Sequence, residues 1–221
     1  MAIRSTLTSS IFRNTIVVAT LVVTAQCMAG RISVQINDAA GQPVIDAVVY
    51  ANQVSGIAPI KPKREAFVEQ INKEFVPLVS VVQTGTLVNF PNRDKVRHHV
   101  YSFSPAKTFE IKLYTGVPAK PILFDKPGEV VLGCNIHDTM IAYLLVVDTP
   151  IFAKTEKRGT AILENLSAGE YEVHVWYPGT AVSSAPAPRK VKLSANESAT
   201  LTFAFNLKPQ SLAAPKPSTG K

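Results

Sequence analysis

Apolar and polar residues alternate along most of the chain with the two-residue period of β-strands. In the stretch EYEVHVW, Val173 and Val175 face one way, while Glu172 and His174 face the other. Short runs of this kind are separated by turns rich in Gly, Pro, Asn and Asp, and little of the sequence has a helical period. The pattern therefore predicts an all-β fold built from β-sandwiches.

The two ends of the chain depart from this pattern. Arg4 and Arg13 precede an apolar run from Ile16 to Ala25, and small residues then offer a cleavage site after Ala29, which is typical of a secretory signal peptide. The apolar run is too short for a spanning helix. We therefore expect a periplasmic protein with no stable membrane insertion after signal cleavage. Residues 208–221 lack an apolar period, which favours a disordered tail.

Removal of the signal peptide lowers the formal net charge from +7 to +5, because two arginines are lost and no acid. No basic cluster is interleaved with aromatic residues, so nucleic acid is not an expected partner. The remaining chain keeps one cysteine, Cys134, and one methionine, Met140. A single thiol in an oxidising compartment cannot form an internal disulfide, so Cys134 is either buried and inert or bound by a ligand.

A candidate metal loop lies in the stretch GCNIHDTM, where Cys134, His137 and Met140 follow one another at three-residue steps. A thiolate, an imidazole and a thioether together favour copper, with the thioether as a weak axial ligand. A type 1 copper site needs a second imidazole, and the stretch NFPNRDKVRHHVYSF offers His98 or His99. These residue types leave open which of the two histidines is the ligand.

Two longer motifs resemble the cupredoxin family. FVPLVSVVQTGTLVNFPNRDKVRHHV is similar to the opening of that fold, in which V-x-x-G-x-x-V-x-F-x-N precedes H-N-V. PGEVVLGCNIHDTM is similar to its closing strand and loop, P-G-x-x-x-x-x-C-x-x-H-x-x-M, with the short loop of amicyanin. The resemblance covers about residues 66–147. The stretches HHVYSFSPAKTFEIKLY and GCNIHD also look like exported bacterial proteins labelled methylamine utilization proteins.

The resemblance implies one type 1 copper ion per chain, with His98, Cys134 and His137 as equatorial ligands and Met140 as the axial ligand. It also implies that His137 lies near the surface beneath an apolar patch. Four ligands leave no open position for a substrate, so we expect no enzymatic activity. The expected function is the carriage of single electrons between periplasmic redox partners, such as a c-type cytochrome or a dehydrogenase.

Two positions depart from the cupredoxin pattern. His99 stands where the family has an asparagine that hydrogen-bonds to the cysteine loop, and the alignment favours His98 as the ligand. Gly133 stands where an aromatic residue often precedes the cysteine, which implies a less crowded, more solvated sulfur.

Two other functions compete with electron transfer. A periplasmic copper-delivery protein would use the same ligands to hand over the metal, although a second His/Met cluster would be typical of it and none is present in the sequence. A structural, adhesion-type sandwich without metal would leave the grouping of Cys134, His137 and Met140 unexplained.

The strands on either side of this region resemble carboxypeptidase-regulatory-like sandwiches, through ISVQINDAAGQPVIDAVVYANQ and AKTEKRGTAILENLSAGEYEVHVW. One hypothesis is a second small sandwich into which the cupredoxin is inserted; the alternative is that residues 31–53 add strands to the copper domain. The predicted segments are a signal peptide (1–29), the first hairpin of the accessory sandwich (31–53), a linker (54–65), the cupredoxin domain (66–147), the rest of the accessory sandwich (148–207) and the tail (208–221).

Overall fold

The computed structural model describes residues 29–54, 65–118, 120–180 and 184–207. The predicted tail, and nearly all of the predicted signal peptide and linker, lie outside these ranges. The described residues form β-strands in several sheets and contain no α-helix, which confirms the all-β prediction. None of them belongs to a helix long and apolar enough to cross a membrane.

The described residues form seventeen strands in chain order. They are β1 (Gly30–Asp38), β2 (Val48–Gln53), β3 (Glu65–Phe67), β4 (Glu69–Ile71), β5 (Glu74–Val76), β6 (Val79–Gln83), β7 (Thr86–Asn89), β8 (His98–Ser104), β9 (Lys107–Tyr114), β10 (Ile122–Phe124), β11 (Gly128–Gly133), β12 (Ile141–Val147), β13 (Phe152–Lys154), β14 (Thr160–Leu166), β15 (Gly169–Trp176), β16 (Arg189–Leu193) and β17 (Ser198–Phe205).

Strands from the two ends of the described chain pair with one another; we call β1, β2 and β13–β17 the flanking strands. They form a three-stranded sheet in the order β14-β1-β17 and a four-stranded sheet in the order β13-β2-β15-β16. Alternate side chains of both sheets, such as Ile32 and Val34 of β1 and Val173 of β15, are buried in one apolar cluster. The apolar positions of the alternation predicted from the sequence are therefore the ones that point into the core.

The hairpin predicted within residues 31–53 is wrong in its pairing. Within residues 31–53, β1 and β2 belong to opposite sheets, and the last two strands, β16 and β17, are also divided between the sheets. β17 instead pairs in parallel with β1 along its whole length. Alternation shows which face of a strand is buried, and a strand in either sheet can bury that face in the same core, so the pattern does not determine the pairing partner.

The intervening strands, β3–β12, which we call the central strands, carry the candidate metal loop. They form a five-stranded sheet in the order β6-β12-β11-β8-β9 and a three-stranded sheet in the order β10-β7-β3, with a separate β4–β5 hairpin. Val130 and Leu132 of β11 point inward and are fully buried, together with Cys134 just after the strand. Since β8 and β11 are neighbours, paired at Tyr101 and Gly133, His98 lies beside the start of the cysteine loop.

A smaller apolar cluster joins the flanking and central strands, with Val48 on one side and Val79, Leu145 and Val147 on the other. At its edge, Lys154 Nζ donates to the carboxylate of Asp46 at 2.8 Å and to the carbonyl oxygen of Val79 at 2.7 Å. The two groups of strands are therefore in direct contact.

Truncation of a core ring in β17 tests this packing. Phe205 is fully buried at the edge of the flanking core, whereas Phe103 is 80% exposed on the central sheet. We expect Phe205→Ala to lower the free energy of unfolding by about 3–5 kcal/mol, because it leaves a cavity. The matched control, Phe103→Ala, should change it by less than about 0.5 kcal/mol. Equal effects in urea denaturation would contradict the described burial.

Candidate metal centre

Three side chains from separate positions in the chain meet at one end of the central strands. His98 is the first residue of β8, Cys134 directly follows β11, and His137 lies in the loop that leads to β12. One ligand atom from each lies within 4.8 Å of the others. Cys134 Sγ is 3.9 Å from His137 Nδ1, and the two imidazole ring centres are 5.0 Å apart at an angle of 60°. Two nitrogens and one sulfur thus converge on a space the size of a metal site.

His98, which borders this space, has one ring nitrogen without a hydrogen-bond partner among the described residues. Its ring is completely buried, and Nε2 lies 2.7 Å from Asp94 Oδ2. Because a carboxylate can only accept, we assign the ring proton to Nε2, which leaves a lone pair on Nδ1. Nδ1 has no hydrogen-bond partner among the described residues. A buried acceptor without a partner is costly, and a metal ion at this position would satisfy it.

Asp94 is itself fixed by a tight turn. It accepts the backbone N–H groups of Asn72 at 2.7 Å and Lys73 at 2.8 Å, which form the left-handed turn between β4 and β5. Partial burial opposes ionisation, but these donors and the His98 ring outweigh it, so the pKa of Asp94 lies below its usual range. Asp94 is therefore a carboxylate at neutral pH, able to hold the His98 ring in one orientation.

The loop that carries Asp94 is organised by Asn92. The Asn92 side chain accepts the N–H of Asp94 at 2.9 Å and donates to the carbonyl oxygens of Val96 and Tyr114, both at 2.9 Å. Tyr114 is paired with His98 across β8 and β9. A single amide thus ties the loop before His98 to the strand beside it.

His137 is the partly exposed member of the group. Burial lowers the pKa of its imidazole, and the neighbouring His98 and Lys73 lower it further, against a smaller opposing effect of Asp94. The ring is therefore neutral at physiological pH, which is the form that binds a metal. Ile136 beside it is a half-exposed apolar residue at the surface.

Met140 ends the same loop and donates its backbone N–H to the carbonyl oxygen of His137 at 2.9 Å. Its side chain is almost fully buried in the same apolar cluster as Cys134, Val130 and Leu132. The sequence-predicted thioether thus lies on the interior side of the loop, while His137 lies toward the surface.

His99 is placed away from the group. Its Nε2 lies 2.8 Å from Glu110 Oε1 of β9, and its ring packs against Tyr101. The structure therefore brings His98, and not His99, to Cys134 and His137. The described hydrogen bond of His99 goes to a neighbouring strand rather than to the cysteine loop.

We expected little crowding around the Cys134 sulfur because a glycine, Gly133, precedes it, and this expectation is wrong. A Cβ atom built on Gly133 would lie 2.8 Å from Cζ of Tyr101, because the tyrosine ring of β8 occupies the space of the missing side chain. An aromatic residue therefore covers the backbone next to Cys134, but it comes from the neighbouring strand.

Sequence reasoning did not identify Asp94, Tyr101 or Glu110 as part of this region. The sequence offered one signal, for Asp94, which is an acid four residues before His98. A loop of that length can bring the carboxylate to the His98 ring. Tyr101 had no local signal, because its role depends on the register between β8 and β11.

The donor set suits copper in either oxidation state. A buried thiolate and two neutral imidazoles favour Cu(I) and Cu(II), whereas a thioether nearby is rarely used by zinc. The group formed by the described residues contains no carboxylate of the kind that a harder metal would need.

Comparisons with known proteins find similarity only at the level of structure. No family model matches the chain, and no curated protein matches it. A copper-containing nitrite reductase from Thermus scotoductus SA-01 is 25% identical over 44% of this chain, with a TM-score of 0.37, and this chain spans only 26% of that enzyme. A purple cupredoxin from Nitrosopumilus maritimus is 19% identical over 37% of this chain and 99% of its own length, with a TM-score of 0.34. Pseudoazurin from Hyphomicrobium denitrificans is 25% identical over 38% of this chain and 75% of its own, with a TM-score of 0.33.

Removal of the negative charge of Asp94 tests whether this carboxylate orients the His98 ring. We expect Asp94→Asn to weaken copper binding about 10–100-fold, because the carboxylate that orients the His98 ring is lost. Competition with a Cu(I) chelator measures the change. The matched control is Asp138→Asn, which removes an exposed acid from the metal loop itself. An equal loss of affinity in both variants would indicate a general charge effect and contradict the positioning role.

Proposed function

We propose that this protein is an exported cupredoxin with one type 1 copper ion, and that it carries single electrons between periplasmic redox partners. The observation that carries the proposal is the convergence of one ring nitrogen of His98, Cys134 Sγ and a His137 ring nitrogen, together with a buried His98 Nδ1 that has no hydrogen-bond partner among the described residues. Met140 is the proposed axial ligand, since it is buried at the end of the same loop.

Copper bound here would supply one-electron redox chemistry. The protein's part is to keep the ligands in one arrangement in both oxidation states. Asp94 holds the ring of His98, the sheet pairing holds Cys134, and the hydrogen bond between Met140 and His137 closes the loop. Apolar residues around Cys134 exclude water from the sulfur, which helps to set the redox potential.

We further propose that the copper sandwich is inserted into a second sandwich made of the flanking strands. The antiparallel pairing of β1 with β14 and of β2 with β15 supports this division, as does the separate apolar core of these strands. The resemblance to methylamine utilization proteins makes an amine dehydrogenase and a c-type cytochrome the first partners to test.

The visible spectrum of the Cu(II)-loaded protein tests this function. We expect an intense blue colour from charge transfer between the Cys134 thiolate and Cu(II), and a reversible one-electron couple in voltammetry. Cys134→Ser should abolish the band, whereas Asn135→Ser, at an exposed position of the same loop, should keep it.

Two other results would redirect the proposal. Copper retention without the intense band, combined with rapid transfer of the metal to a chelator, would favour copper delivery. The absence of any stoichiometric copper uptake by the folded protein would contradict the metal site altogether.

A further inference from the structure

A row of aromatic rings runs along the outer face of the sheet that carries Cys134. Val100 and Ser102 of β8 point into the core, so His99, Tyr101 and Phe103 point away from it. The ring centres are 5.5 Å apart between His99 and Tyr101, and 5.2 Å apart between Tyr101 and Phe103. The row ends in solvent, since Phe103 is the most exposed of the large apolar residues described.

The middle ring of this row touches the backbone next to the metal loop. Tyr101 is paired with Gly133, and its ring fills the space that a side chain on Gly133 would occupy. Gly133 is bonded directly to Cys134. A short run of covalent bonds through that peptide therefore links the thiolate sulfur to an atom in contact with the Tyr101 ring.

We propose that the Tyr101 ring carries an electron route from the metal centre to the outer face of the sheet at position 103, separate from the partly exposed His137. This inference rests on the proposed electron-transfer function. Glycine at position 133 is essential to it, because a side chain there would push the Tyr101 ring off the backbone. Close-packed atoms without a gap couple the two ends of such a route.

The electron balance is simple. Bound copper would supply the electron by passing from Cu(I) to Cu(II), and a one-electron acceptor at Phe103 would be reduced by that electron. No bond is formed or broken, no proton moves, and the rings of Tyr101 and Phe103 act as a medium and are not themselves oxidised.

The contact can be tested without metal. Gly133→Ala should lower the midpoint of thermal unfolding of the copper-free protein, because its methyl group meets the Tyr101 ring. The same change in a Tyr101→Ala background should lower it much less. Additive effects of the two substitutions would show that the ring does not lie on Gly133 and would overturn the route.

The electron transfer itself can be measured with a photoactive ruthenium complex on an introduced histidine. The label is attached at Phe103→His in the copper-loaded protein, with His174→Gln present so that this partly exposed histidine cannot be labelled. We expect Tyr101→Leu to slow the intramolecular transfer several-fold, and Tyr101→Phe, which keeps the ring, to retain the original rate. Equal rates for the Leu and Phe variants would overturn the proposal.

A second labelled position separates this inference from the proposed function. The control label is placed at Val117→His, which is 63% exposed and follows β9. Transfer from this label should be unaffected by Tyr101→Leu. If it proceeds while both Tyr101 variants leave the rate from position 103 unchanged, the route alone is wrong. If neither label exchanges an electron with bound copper and the blue band is missing, the electron-transfer function is wrong.

Discussion

The hydrogen bond between Asp94 and His98 is the interaction on which the candidate metal centre depends. It assigns the ring proton to Nε2 and leaves a lone pair on Nδ1, in a ring that lies beside Cys134 and His137. A buried imidazole without this partner could flip or change tautomer. The carboxylate is held by backbone donors of the β4–β5 turn and by the loop that Asn92 organises, so a short hairpin distant in sequence from the cysteine loop helps to set the geometry of the site.

The rest of the site follows from the neighbouring positions of β8 and β11. Their pairing brings a histidine at the start of one strand beside a cysteine at the end of the other. Burial of Cys134 and Met140 in the sandwich core leaves these two side chains little freedom to move. The same register lays the Tyr101 ring over Gly133, which is the basis of the proposed second route to the surface.

The sequence predicted the features that depend on local pattern and residue type. Alternation predicted the all-β fold and the inward faces of strands such as β15, and the softness of the donors indicated a candidate metal loop from Cys134 to Met140. Strand pairing was not accessible in the same way. The strands that could pair with one another all show the same alternation of apolar and polar residues. That pattern therefore does not predict that β1 and β2 lie in opposite sheets, or that β17 pairs in parallel with β1. Asp94 and Tyr101 were missed for the same reason, since their contacts depend on how separate segments meet.

The most direct test of the central claim is X-ray absorption at the copper edge, on the protein loaded with one equivalent of copper and measured in the oxidised and reduced states. A preformed site predicts one sulfur at a short distance and two imidazole nitrogens in both states, with only small changes in bond length between them. A first coordination shell of nitrogen and oxygen alone, or the loss of an imidazole on reduction, would contradict it.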